Sequence, residues 1–102
     1  MARDLTYIGA LVLHTIRSGQ RYGFQIMATT ELASGTVYPA LRRLEKSGLI
    51  RSQWEKPAIA RAEQRPIRKY YVVTAEGESA LVDAGKRYRF PEVEATLKEA
   101  DR

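Results

Sequence analysis

Along the first part of the chain, the apolar residues Leu5, Ile8, Leu11, Val12 and Ile16 recur at three- and four-residue steps. That spacing predicts an amphipathic helix, with Asp4 as its cap and Gly19 as its stop. Tyr7 and Leu13 widen the stripe beyond one face, so the helix is expected to be covered on two sides, one of them by a second subunit. Gly9 lowers helix propensity and fits a close crossing, while His14 is expected simply to pack or to lie partly exposed. A short second helix covers about residues 22–29, followed by a turn over residues 30–35. The third helix is the most sharply patterned. Thr36 is its expected cap, Pro39 falls in the first turn where no backbone donor is needed, and Gly48 closes it. At about 100° per residue, Val37, Ala40, Leu41 and Leu44 share one arc. Tyr38, Pro39, Arg42 and Lys46 lie opposite, with Thr36 and Arg43 on one flank.

After Gly48 the period changes. Residues 49–54 and 68–74 read as strands, the second rich in β-branched and aromatic side chains. Between them, residues 55–67 hold Lys56, Arg61, Arg65 and two prolines, a long basic hairpin tip with no predicted shape. Thr74 is expected to cap a last helix from Ala75, whose apolar Leu81, Val82 and Tyr88 run to Phe90-Pro91. A residue before proline disfavours helix, so the pattern breaks there, and Val93 and Leu97 resume it. The chain thus divides into a unit over residues 1–74 and a helical region over 75–102, broken near Pro91. The predicted class is mostly α with a small antiparallel β-hairpin.

Composition mainly excludes. A chain of 102 residues suits one domain. With no cysteine there is no disulfide framework, thiolate zinc site or cysteine nucleophile, and one histidine excludes sites that need two. The apolar run over residues 8–13 is far shorter than the ~20 residues of a membrane span. Asp4 and the lack of a small-residue cleavage site argue against a signal peptide and for a core helix. No nucleophile elbow, phosphate-binding glycine loop or metal-spaced cluster occurs, so neither catalysis nor a cofactor nor a metal is expected. Charge is more informative. Residues 1–48 carry a net +3, residues 49–74 carry +4, and residues 75–102 carry −2. A cationic middle points to a polyanionic partner.

Helix, short helix, turn, helix and basic hairpin is the order of a winged helix-turn-helix, whose third helix fits the major groove of double-stranded DNA. On that reading Arg42 pairs with a guanine, and Tyr38 meets a phosphate or a thymine methyl. Ser34, Gly35 and Thr36 bring the helix N-terminus close to a phosphate, and Pro39, Arg43 and Lys46 complete the outer face. Lys56, Arg61, Arg65 and Arg68 supply the wing contacts. The plainer alternatives are a solvated face in which Arg42 and Lys46 accompany Glu45, and a Tyr38 packed under the wing. Leu5, Ile8 and Val12, with Leu81, Val82, Tyr88, Phe90, Val93 and Leu97, are the surplus apolar residues from which a dimer interface would be built.

Three stretches also carry a resemblance. They are Tyr22-Gly23-Phe24-Gln25-Ile26-Met27, the run from Ser34-Gly35-Thr36-Val37-Tyr38-Pro39-Ala40-Leu41 through Arg42-Arg43-Leu44-Glu45-Lys46-Ser47-Gly48-Leu49-Ile50, and Lys69-Tyr70-Tyr71-Val72-Val73-Thr74-Ala75-Glu76-Gly77. In these the chain resembles the PadR-type transcriptional regulators in their short form. The resemblance implies a homodimeric repressor in a bacterial or archaeal cytoplasm, bound to a palindromic operator. It also implies that Tyr38 and the Gly35-Thr36 turn face DNA, with Tyr22 near the backbone. The chain departs from the family's pattern at Phe90-Pro91, where short members have one unbroken helix, and in its longer wing tip. Some members bind small molecules at the dimer interface. Trp54 falls beside the wing instead, so an inducer is left unassigned and no ligand pocket is inferred. The other function class is a winged helix that docks an acidic protein partner.

Overall fold

The computed structural model of the chain describes residues 5–91. Within them lie α1 (Tyr7–Arg17), α2 (Gly23–Thr30), α3 (Ser34–Lys46), β1 (Ile50–Trp54), α4 (Pro57–Ala62), β2 (Lys69–Val73) and α5 (Ala75–Ala84). The class is as expected: mostly helical, with one two-stranded antiparallel sheet.

Thr6, and not Asp4, caps α1. Its backbone is extended, and its Oγ1 accepts a bond from the Gly9 N–H at 3.0 Å. Asp4 lies outside the described residues. The start of α3 also moves. Glu31 ends α2 in the left-handed region (φ 61°), which leaves only Leu32 and Ala33 to join the helices. Helix therefore begins at Ser34, and Thr36 lies inside the first turn, with its N–H bonded to the Ala33 carbonyl at 2.9 Å. Pro39 consequently sits in the second turn, where it has no N–H to donate to the exposed Gly35 carbonyl four residues back.

The apolar stripes meet as the periodicity requires. Val12, Leu13 and Ile16 of α1 pack with Ile26 of α2, with Val37, Ala40, Leu41 and Leu44 of α3, and with Leu49, Ile50 and Tyr71. This corrects one expectation. Val12 is 0% exposed within its own chain, so it belongs to the core and offers nothing to a second subunit.

Gly48 turns the chain from α3 into the hairpin. Its φ of 79° suits a residue without a Cβ, and the Gly48 and Leu49 N–H groups bond back to the Glu45 and Leu44 carbonyls at 3.0 and 2.9 Å. The strands then pair antiparallel from Ile50↔Val73 to Trp54↔Lys69. Arg21 and Tyr22 line the other edge of β2: the Tyr71 N–H donates to the Arg21 carbonyl at 2.8 Å, and Tyr22 bridges Tyr70.

The hairpin tip has a definite shape. Pro57 is pre-set for the first turn of a helix, the alanines extend it, and Gln64 at φ 54° ends it. At the far end, Thr74 caps α5 as expected, accepting from the Gly77 N–H at 3.0 Å. The helix stops at Ala84, well before Pro91. Residues 85–87 turn the chain back so that the Tyr88 hydroxyl donates to the Leu5 carbonyl at 3.0 Å. Phe90 then stacks on His14 with centroids 4.7 Å apart. Burial pushes the His14 imidazole below its ordinary 6.5, against an upward pull from its bond to Pro91. The neutral ring is therefore the one that packs. This contribution to stability is present above pH 6.5 and is lost as pH falls below it.

Candidate nucleic-acid interface

An open cleft of about 690 Å³ lies between the start of α2 and the outer face of α3 on one side and the wing on the other. The structure brings Tyr22, Tyr38, Arg42, Arg65 and Arg68 to this cleft, out of those expected from the sequence. Tyr38 leans over the start of α2 because Gly23 has no side chain. A Cβ there would lie 2.6 Å from Tyr38 Cζ. Tyr22 is half-buried, with the Arg68 guanidinium 4.1 Å over its ring and the Tyr70 ring edge-on at 5.4 Å.

On α3, Arg42, Arg43 and Lys46 are exposed, and among the described residues none of them forms an ion pair. Glu45, their neighbour, turns instead to the wing, where its Oε2 accepts from Ser52 Oγ at 2.5 Å. The outer face therefore keeps its positive charge. Ser34 and Gly35 are exposed at the helix start, whereas Thr36 and Pro39 are half-buried. Beneath this helix lies Tyr71, whose hydroxyl is pushed above its ordinary range by burial, and further by Glu45. Lys56, just before α4, and Arg61, in its last turn, stand exposed at the wing tip and away from the cleft lining.

Arg65 is placed differently from expectation. Its Nη1 and Nη2 donate to the two carboxylate oxygens of Glu55 at 2.7 Å each, and its Nε donates to Glu63 at 2.8 Å. With its side chain only 16% exposed, it is not a free phosphate ligand. Opposite charges ten residues apart found each other across the tip. The hydrogen bonds from Arg65 lead in holding the Glu55 carboxyl down at about 2, aided by the Arg68 N–H and nearby charge; burial opposes them.

Of the cleft lining, the sequence reading missed Gly23, Phe24, Trp54, Pro66, Ile67, Lys69 and Tyr71. Phe24 is 71% exposed and Trp54 59%, Ile67 lies beside them, and the Lys69 ammonium sits 5.5 Å from the Trp54 centroid. Phe24 had a signal: it falls about 200° from the buried Ile26 on a helical wheel, an aromatic on the solvent side. Trp54 and Lys69 become neighbours only through strand register.

Of the expected interface residues, Leu81 is half-buried against the core, as are Leu5 and Ile8, while Tyr88 and Phe90 fold onto α1. Val82 is 65% exposed. Val93 and Leu97 lie outside the described residues. Among the described residues no cluster of three or more potential ligands could hold a metal, and no helix is long and apolar enough to cross a membrane.

Comparison with known proteins points one way. The family model that matches is the transcriptional regulator PadR-like family, over residues 12–83. A PadR family transcription regulator from Clostridium difficile is similar at 29% identity and a TM-score of 0.70, covering 82% of this chain and 88% of that one. A Streptococcus mutans protein of known structure is also 29% identical, with a TM-score of 0.67 and 85% and 82% coverage. A PadR family regulator from Eggerthella lenta is 28% identical, with a TM-score of 0.59 and 78% and 71% coverage. Comparison with curated proteins gave no match.

Proposed function

The chain belongs to the PadR-like family of transcriptional regulators, a non-enzymatic family, and from that premise we propose that it is a cytoplasmic repressor binding a palindromic operator as a homodimer. One observation carries the reading. Among the described residues, the outer face of α3 presents Arg42, Arg43 and Lys46 without carboxylate partners, beside a cleft rimmed by Arg68 and Lys69. Cations on the solvent side of a helix whose other side is packed into the core suit a groove lined with phosphates. Residues 1–74 together carry a net +7.

The test is salt. Neutralising six phosphates per dimer gives log K a slope of roughly −5 against log salt concentration. A flat dependence, or no binding to duplex DNA at low salt, would remove the repressor reading.

Within the interface, Arg42 is the residue assigned to a base. Arg42→Ala is expected to cost about 1–3 kcal/mol of operator binding and to relax selection at one position in each half-site. Unfolding should hardly change, since the side chain is exposed. Selecting sites from random DNA with both proteins checks this; identical selected sites would move base recognition elsewhere on the face.

For the dimer, we assign the seam to the exposed Val82 on α5 and the partly covered Leu5, Ile8 and Leu81, together with Val93 and Leu97, which the sequence pattern adds and which lie outside the described residues. Val12 is not part of that assignment, because its own chain covers it completely.

A further inference from the structure

Glu55 follows β1 directly and is almost covered, at 8% exposure. Its backbone N–H donates to the Arg68 carbonyl at 2.8 Å. Its carboxylate accepts the Arg65 fork at 2.7 Å on both oxygens, the Arg68 backbone N–H at 3.2 Å, and the Tyr70 hydroxyl at 3.4 Å. One side chain thus ties together both ends of the wing tip. The linkage continues inward, because Tyr70 packs edge-on against Tyr22 and Tyr22 stands at the start of α2 under the Arg68 guanidinium. Hung on this clasp is α4, with Lys56 before it and Arg61 in its last turn, both exposed.

A tip of this length between two five-residue strands has no core of its own beyond the buried Ala60. A paired, planar fork fixes direction as well as distance, which an apolar contact would not. We infer that Glu55 is a positioning residue for DNA binding: by clamping Arg65 and the Arg68 backbone, it holds the wing so that Lys56 and Arg61 meet the phosphates flanking the groove occupied by α3. The inference rests on the regulator reading above. The low carboxyl value of about 2 keeps the clasp ionised throughout the neutral range.

Two variants separate this role from a direct one. If Arg65 itself gripped phosphate, Glu55→Gln would release it and tighten binding, and Arg65→Lys would preserve the salt slope. The clasp requires the opposite. Glu55→Gln and Arg65→Lys should each weaken binding about tenfold and lower the steepness of the salt slope by roughly 2 per dimer, one phosphate contact per wing. The probe is a labelled duplex carrying a site selected from random-sequence DNA by the unmodified protein. Hydrogen exchange of the free proteins supplies a readout independent of DNA: the Arg68 amide should lose protection, while the amides of α1 and α3 keep theirs. Affinity and slope unchanged, or tighter binding by Glu55→Gln with the Arg68 amide exposed, would overturn the inference. If the unmodified protein binds no duplex, the regulator reading itself fails, and this inference with it. Should Glu55→Gln fail to fold, Arg65→Lys carries the test alone.

Discussion

Gly77→Ala is expected to destabilise the domain by about 3 kcal/mol or more, the upper end for forcing an added group into a packed site. Gly77 is in the first turn of α5, where the helix start meets the corner between α3 and β1. A Cβ at this position would run into the Leu49 carbonyl oxygen and lie 2.7 Å from Val73 Cγ1. Neither neighbour can easily withdraw. The Leu49 carbonyl accepts the Thr74 N–H at 3.0 Å, and the adjacent Gly48 carbonyl accepts the Thr74 hydroxyl at 2.7 Å. Net stabilities of about 5–15 kcal/mol make such a loss large. Urea unfolding at one fixed protein concentration measures it, with Gly85→Ala as the control. At Gly85 a Cβ would lie 3.4 Å from the Val82 carbonyl oxygen and 3.5 Å from that of Leu81, and φ is −63°, so alanine there should be neutral or stabilising by about 0.4–1 kcal/mol. Equal midpoint shifts at the two positions would show that the close approach is not what position 77 serves.

Removing residues 92–102 is expected to yield a monomer that binds operator at least a hundredfold more weakly. Two linked half-site readers gain affinity because the second contact becomes intramolecular, a gain of about 10²–10⁴ that a monomer forfeits. The position of the cut matters. A truncation at residue 79 would also strip Leu81 and Ala84, which pack within this chain, and the Tyr88 and Phe90 contacts to α1. Cutting after Pro91 spares all of these, so lost affinity cannot be blamed on a damaged core. Light scattering and titration of a selected duplex read the outcome. A truncated chain that remains dimeric and binds normally would put the whole seam on α1 and α5.

The parts of this fold legible in the sequence are those decided over one or two helical turns. Val37, Ala40, Leu41 and Leu44 are buried because their three- and four-residue spacing leaves no other common face. Thr74 caps α5 because its hydroxyl reaches an N–H three residues ahead. The strands over residues 50–54 and 69–73 follow from composition and the turn at Gly48. The exposed, basic outer face of α3 is simply the complement of its buried stripe. Where local signals competed, the reading slipped. By type Thr36 is a better capping residue than Ala33, and Asp4 is as good as Thr6, so the length left after Glu31 and the path of the chain decide against the local signal.

What only tertiary structure decided are pairings among many equivalent partners. The wing tip holds four exposed or half-buried cations in Lys56, Arg61, Arg65 and Arg68, and nothing in their spacing singles out Arg65 for burial against Glu55. The choice is made where two chain ends approach and a carboxylate losing its water must regain bonds. Val12 carries the same signal as an interface residue, and is claimed by its own core because α3 and the hairpin close over it. The helix after Thr74 ends at Ala84 because Tyr88 finds Leu5, 83 residues away in sequence, and Phe90 finds His14. Periodicity reports which side of an element is apolar. Which surface covers it depends on contacts far apart along the chain, whose energies exist only once the chain has folded.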